Sequence, residues 1–280
     1  MRRMTGPVVS CAILGAAFVL SGCTPRSSPG EARAQNYLSL GKSALQRGDL
    51  ASAASFDRLA RQADPQNTEA FLAEAEVAER QGQFEQAKIL LDAYLQRVPK
   101  SAGAQIDLGI AELGSGNAEQ ADAILAPFAK TSTDPKVLRN EAVALDLLGR
   151  TADAEAMDRQ AIVLDPTDPV LRGNLALTLA ADGQTDAAER MIASAISLPN
   201  APRAEDANAV MLLAYSGKIA HARKLGRQTL GNSATEALIK RAEAARRTRD
   251  PARRAEAFGM TVDAAAPAPA PTAPATALAQ

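Results

Sequence analysis

Between residues 34 and 236 the apolar positions recur three and four places apart, in short blocks. That spacing lines one face of a helix. Each block has room for about three turns. Glycines stand between blocks at Gly48, Gly82, Gly116, Gly149, Gly183 and Gly217, separated by 34, 34, 33, 34 and 34 residues. Five places after each glycine comes an alanine: Ala53, Ala87, Ala121, Ala154, Ala188 and Ala222. The pattern predicts six units of two short helices joined by a tight turn. Glycine suits the turn because it can adopt the left-handed backbone that ends a helix. The alanine falls where the second helix crosses the first, and only a small side chain lets two helix axes approach closely. Asp64-Pro65 and Asp165-Pro166 stop second helices. No unit can bury its apolar stripe alone, so the units are expected to stack.

This period and pattern resemble the tetratricopeptide repeat, a helix–turn–helix unit of 34 residues. The resemblance covers residues 34–236. It implies an all-α fold, a right-handed α-solenoid of about six repeats. Agreement is uneven. Leu40-Gly41 and Leu108-Gly109 carry the Leu-Gly pair of the first helix, but unit two has Glu74-Ala75 there and unit six Ala209-Val210. Unit six also has Gly226 where a large apolar residue is expected. Beyond the repeats, Ser233 to Phe258 reads as one further helix, a polar C-terminal cap placed at 237–259. Arg241, Arg246, Arg247, Arg249, Arg253 and Arg254 make it basic. The Pro/Ala-rich tail, 260–280, has no periodicity and is expected to be disordered.

Ahead of the repeats, Val8 to Leu20 is an apolar run behind Arg2 and Arg3. It is shorter than the ~20 residues a spanning helix needs and fits a secretory signal. Leu20-Ser21-Gly22-Cys23 resembles the bacterial lipobox. That resemblance implies removal of residues 1–22 and lipid on Cys23. Thr24, where retained relatives carry Asp, implies the outer membrane, with the body facing the periplasm. Residues 23–33 are then the lipidated cysteine and its tether, with Thr24 to Gly30 rich in Pro, Ser and Gly.

Composition narrows the chemistry. With 46% hydrophobic residues the 280-residue chain has ample material for a core. Lys and Arg number 31 against 32 Asp and Glu, a balance that argues against a nucleic-acid binder. Aromatics are 3% and Trp is absent, so stacking platforms are scarce. One His and two Cys leave little for a metal cage or a nucleophile–base pair. His221 reads as a surface or groove-edge side chain, and Gly114-Ser115-Gly116 as an inter-helix turn. Glu74, Glu76, Glu79 and Glu85 follow solvent-facing helical positions. No catalytic residue, metal, cofactor or small-molecule substrate is expected, and the chain does not read as an enzyme.

In tetratricopeptide stacks the first helices line a concave face, and the resemblance carries this over place by place. Units one and two point Leu38, Lys42, Leu45, Gln46 and Leu72, Glu76, Glu79, Arg80 inward. No unit has the Lys and Asn pair with which some relatives clamp a terminal carboxylate. The apolar inward residues of later units, Ile106, Ile110, Val143, Leu147, Leu177, Met211 and Tyr215, form the candidate partner groove. They are also open to packing under neighbouring helices or under the C-terminal cap. For Leu147 and Tyr215 the two readings stand level.

The stretch NLALTLAADGQTDAAER (174–190), with the signal and lipobox, is similar to the TadD family of lipoproteins. These belong to the tight-adherence (Flp) pilus assembly system. The similarity implies a non-catalytic outer-membrane scaffold that holds other proteins, such as a secretin, and touches the membrane through its lipid. Two alternatives stay open: a pilotin-like or general envelope-assembly lipoprotein, and a modulator of a peptidoglycan enzyme that brings the basic 241–254 stretch to the cell wall.

Overall fold

The computed structural model describes residues 28–260. The signal 1–22, Cys23, the tether up to Ser27 and the tail beyond Met260 lie outside the described residues. Among the described residues there are fourteen α-helices and no strand. Six hairpins follow one another: α1 (Pro29–Gln46) and α2 (Leu50–Ala63), α3 (Thr68–Arg80) and α4 (Phe84–Leu95), α5 (Ala102–Gly114) and α6 (Ala118–Ala129), α7 (Pro135–Leu147) and α8 (Thr151–Leu164), α9 (Pro169–Ala181) and α10 (Thr185–Ile196), α11 (Arg203–Tyr215) and α12 (Ile219–Thr229). Two more helices, α13 (Asn232–Arg246) and α14 (Pro251–Phe258), close the chain. Each helix packs on the next, and α1 also touches α3, α5 touches α7, α7 touches α9 and α9 touches α11. The result is a tetratricopeptide-like solenoid. No described helix is long and apolar enough to cross a membrane.

The first helix begins earlier than expected. Ser28 accepts the Glu31 N–H at 3.1 Å, and the Glu31 carboxylate accepts the Ser28 N–H at 2.6 Å. This reciprocal pair satisfies two of the N–H groups that a helix start leaves unpaired. Pro29 loses nothing at the first helical position. Residues 29–33 therefore belong to α1 and not to a tether.

The hairpin turn is the same device six times. In the first, Gly48 has φ +75° and donates its N–H to Leu45, while the Asp49 N–H reaches back to Ala44. The two bonds close the end of α1, and Asp49 at once caps α2 by accepting the Ser52 N–H at 3.0 Å. One residue thus ends one helix and starts the next. The other five glycines have φ between +70° and +87°, and the same long back-bond recurs at Gln83, Asn117, Arg150, Gln184 and Lys218.

Past the turn, Ala53, Ala87, Ala121, Ala154, Ala188 and Ala222 are each no more than 1% exposed. Four places further along the second helix stand Asp57, Leu91, Leu125, Asp158, Ile192 and Gly226, all buried. These pairs of positions form the seam between the two helices of a unit. In unit six the room left by Gly226 is taken by the side chain of Thr235, which α13 brings in fully buried. The gap that made unit six look irregular is filled by the next element.

The C-terminal cap is two helices, not one. Asp250 accepts the Ala252 N–H at 3.0 Å and Pro251 occupies the first turn, which starts α14 afresh. Residues before a proline disfavour helical backbone, so α13 ends and the chain turns. It turns inward: α14 packs on α7, α9 and α13, across the odd-helix face.

The turn and the seam make separable demands, which urea unfolding can check. At Gly82 nothing lies within 4 Å of an added Cβ, so Gly82→Ala meets only the left-handed backbone and is expected to cost ~1–2 kcal/mol. Ala121→Leu forces α5 and α6 apart and is expected to cost about 1–3 kcal/mol. Equal stability of either variant and the wild type would contradict this account.

Candidate binding groove

The odd helices share a concave face, and the chain divides it in two. Among the described residues its first half is open. A cavity of about 850 Å³ runs along α1 and α3 and reaches Asp107 of α5 and Lys136 of α7. The inward residues of units one and two all line it: Leu38, Lys42, Leu45 and Gln46, then Leu72, Glu76, Glu79 and Arg80. Five carboxylates face it (Asp57, Glu69, Glu76, Glu79 and Asp107) against three cations, Lys42, Arg80 and Lys136. Arg80 is tied to Glu76 at 3.0 Å. Burial, reinforced by Asp107, raises Glu79 to about 8, and Lys136 offsets only part of this. Asp107 is raised by the same burial.

The second half is occupied by the chain itself. Of the seven apolar residues expected to form an open partner groove, Ile110, Val143, Leu177 and Met211 are 5% exposed or less. Ile106, Leu147 and Tyr215 are partly buried against the same cluster. Ala255, Phe258 and Met260, from the C-terminal turn, are buried with them. The Phe258 ring meets Tyr215 edge-on, centroids 5.0 Å apart, and Arg254 donates to the Tyr215 hydroxyl at 3.4 Å. Arg241 donates to the Ala257 carbonyl at 3.2 Å and holds the end of α14. The internal-packing reading therefore describes this half. The physical reason is the break at Asp250-Pro251, which frees a short amphipathic helix to fold back on its own stack. A residual cavity of about 370 Å³ stays between α14 and the stack.

The carboxylates expected to be solvated are not uniformly so. Glu85 and Glu76 are exposed, but Glu74 is largely shielded against Arg61 at 2.6 Å. More telling are the acids in the seam. Asp57 and Asp158 occupy the place where the other units carry Leu91, Leu125, Ile192 and Gly226. In unit four the Thr178 hydroxyl lies 2.6 Å from Asp146 and 2.8 Å from Asp158, and all three residues are buried. A hydroxyl donates only one hydrogen, so one of these carboxyls must itself carry a proton. Burial raises Asp146 to about 7 and Asp158 well above the carboxylate range, each opposed by the Thr178 hydrogen bond. Both acids are shut off from solvent in the seam. The signal that marks the pair in the sequence is the register: an acid in a column of apolar residues.

Other candidates keep modest roles. His221 is exposed on α12. Ser115 and Gly116 form the turn after α5, with Gly114 beneath the ring of Phe84. Among the described residues no group of three or more His, Cys, Asp or Glu is placed to hold a metal ion.

Two family models, both described as tetratricopeptide repeat, match the sequence. One matches residues 38–102 and 72–135, the other residues 135–159 and 169–194. Together they reach just over half of the chain. Among curated proteins no significant match exists. Solved structures share the fold. A thermophilic tetratricopeptide protein of Thermus thermophilus, TTC0263, is 23% identical with a TM-score of 0.55, over 64% of this chain and 98% of that one. A tetratricopeptide repeat protein of Parabacteroides merdae is 17% identical with a TM-score of 0.60, over 81% and 94%. The Pseudomonas aeruginosa protein pilF is 18% identical with a TM-score of 0.56, over 75% and 98%.

The buried acids make stability depend on pH. Their folded-state pKa values are raised, so their contribution is complete only below the ordinary carboxylate value of 3.8 and is lost progressively as pH rises to about 7. The melting temperature is expected to fall between pH 5 and pH 8.5. In Asp158→Asn the amide donates to Thr178, which is then free to donate to Asp146. This variant is expected to be more stable than wild type by about 2 kcal/mol at pH 8.5 and much closer to it at pH 5. A difference that does not change with pH would refute the shared proton.

Proposed function

The chain belongs to the tetratricopeptide-repeat family, and from that premise we propose that it is a non-catalytic scaffold whose open concave half holds a partner protein. The carrying observation is the 850 Å³ cavity along α1 and α3, the part of the odd-helix face that α14 leaves uncovered. Repeat stacks present extended concave surfaces, and such surfaces suit protein segments better than small molecules. The reading thus moves the binding site from the apolar middle of the stack to its first two units.

The scaffold is proposed to be a lipoprotein of the outer membrane, facing the periplasm and serving tight-adherence pilus assembly. Support for this comes from the sequence: the apolar run ending in Leu20-Ser21-Gly22-Cys23, and the similarity of residues 174–190 to the TadD family. Secretin subunits of the same machine are the proposed partners. The first helix begins at Pro29, so only a short stretch separates the lipid from the open half of the groove. A partner held there would sit close to the membrane.

Two measurements test this reading. A photo-crosslinking residue at Leu72, inside the cavity, is expected to capture a pilus-assembly protein in living cells. The same residue at Ile89, exposed on α4, is expected not to. Capture from Ile89 and not from Leu72 would place binding on the other face. For the anchor, Cys23→Ala is expected to abolish palmitate incorporation and to release the protein from the membrane fraction. Unchanged labelling would refute lipidation at Cys23.

A further inference from the structure

We propose that the segment received by the open half is a cationic amphipathic stretch of the partner, with Lys or Arg side chains pairing with Glu79 and Asp107 and an apolar side resting on Leu45 and Leu72. This rests on the groove reading above and adds the partner's chemistry. Charge points first: carboxylates outnumber cations around the cavity, and Arg80 is already engaged with Glu76. Among the described residues, Lys136 is the cation that acts on both Glu79 and Asp107.

Burial points the same way. Glu79 and Asp107 are partly buried where they line the cavity, and Oε1 of Glu79 has no hydrogen-bond partner among the described residues. Asp57 borders the cavity while only 2% exposed, its unpartnered Oδ1 turned to the backbone of Gly41 in the seam between α1 and α2. Burial, with Glu74 and Glu76 nearby, raises it to about 6. A buried carboxyl left unpaired is costly. A cation brought to Glu79 by a ligand turns that cost into a charge-assisted hydrogen bond. Leu45 and Leu72 supply an apolar strip in the same cavity. An amphipathic helix satisfies both demands at once, because its charged and apolar sides are separated by its own period.

The test uses the full chain and two synthetic peptides of about 18 residues, each five turns of helix. One carries Leu on one face and Lys on the other; its twin has Glu in place of every Lys. The Lys peptide is expected to bind in titration calorimetry, more weakly as salt rises, and the Glu peptide not to bind. Glu79→Gln with Asp107→Asn keeps the shape and removes the carboxyls that a bound cation would hold ionised, and is expected to weaken the Lys peptide about tenfold. Equal binding of both peptides, or no loss in the double variant, overturns the proposal. A peptide copying residues 239–258 of this chain serves as the competitor. If it binds more tightly than the Lys peptide, the groove serves self-association and the proposal falls. The two readings fail separately. Crosslinking from Leu72 that is indifferent to the double variant and to salt removes only the cationic partner, whereas absence of crosslinking from Leu72 removes the groove itself.

Discussion

The architecture depends on the approach of two helices to within a methyl group of one another. In each unit the second helix presents an alanine to the first, and the backbones close on it. That contact fixes how far apart the helices lie, and the glycine turn fixes how they are connected. Repeating both at a nearly constant interval leaves little freedom in the angle between one unit and the next. The odd helices therefore fall side by side and make one continuous concave surface. The function argued for this chain is a property of that surface, and so a remote consequence of six small side chains.

A seam of alanine and leucine would stack without help, yet two units place an aspartate in it. In unit four the acid is answered by Asp146 and Thr178, and the three polar groups share hydrogen bonds out of reach of water. In unit one the Asp57 Oδ1 has no hydrogen-bond partner among the described residues, and the residue borders the open cavity. The same substitution in the repeat thus has two outcomes. Where a polar neighbour can be found within the stack, the acid becomes part of the core. Where none is found, the acid stays unpaired in the seam, beside the open cavity. Burying such groups costs stability in either case.

Much of the fold is legible in the sequence because its rules are local. A glycine needed for left-handed backbone and an alanine needed for close approach recur at fixed intervals, and no long-range contact is required to see them. The break in the C-terminal cap had a local sign too, the Asp250-Pro251 pair, which the run of arginines obscured. What the sequence conceals is the destination of α14. Nothing in residues 251–260 states that they return to α7 and α9, because that contact is decided by which apolar surface remains uncovered after the stack has formed. For that reason the inward-facing residues of the early units were identifiable by place, while the choice of Ile106 to Tyr215 as the open groove was not.

The return of α14 also governs where this protein can be cut. Val143, Leu177 and Met211 are kept dry by residues that follow the last hairpin, so the repeat array is not a self-sufficient body. A chain ended by a protease after α12 would display a greasy strip along the middle of its concave side, and such strips gather other copies. The apolar middle of the concave side is thus covered by α13 and α14 together, and their loss would lay it bare.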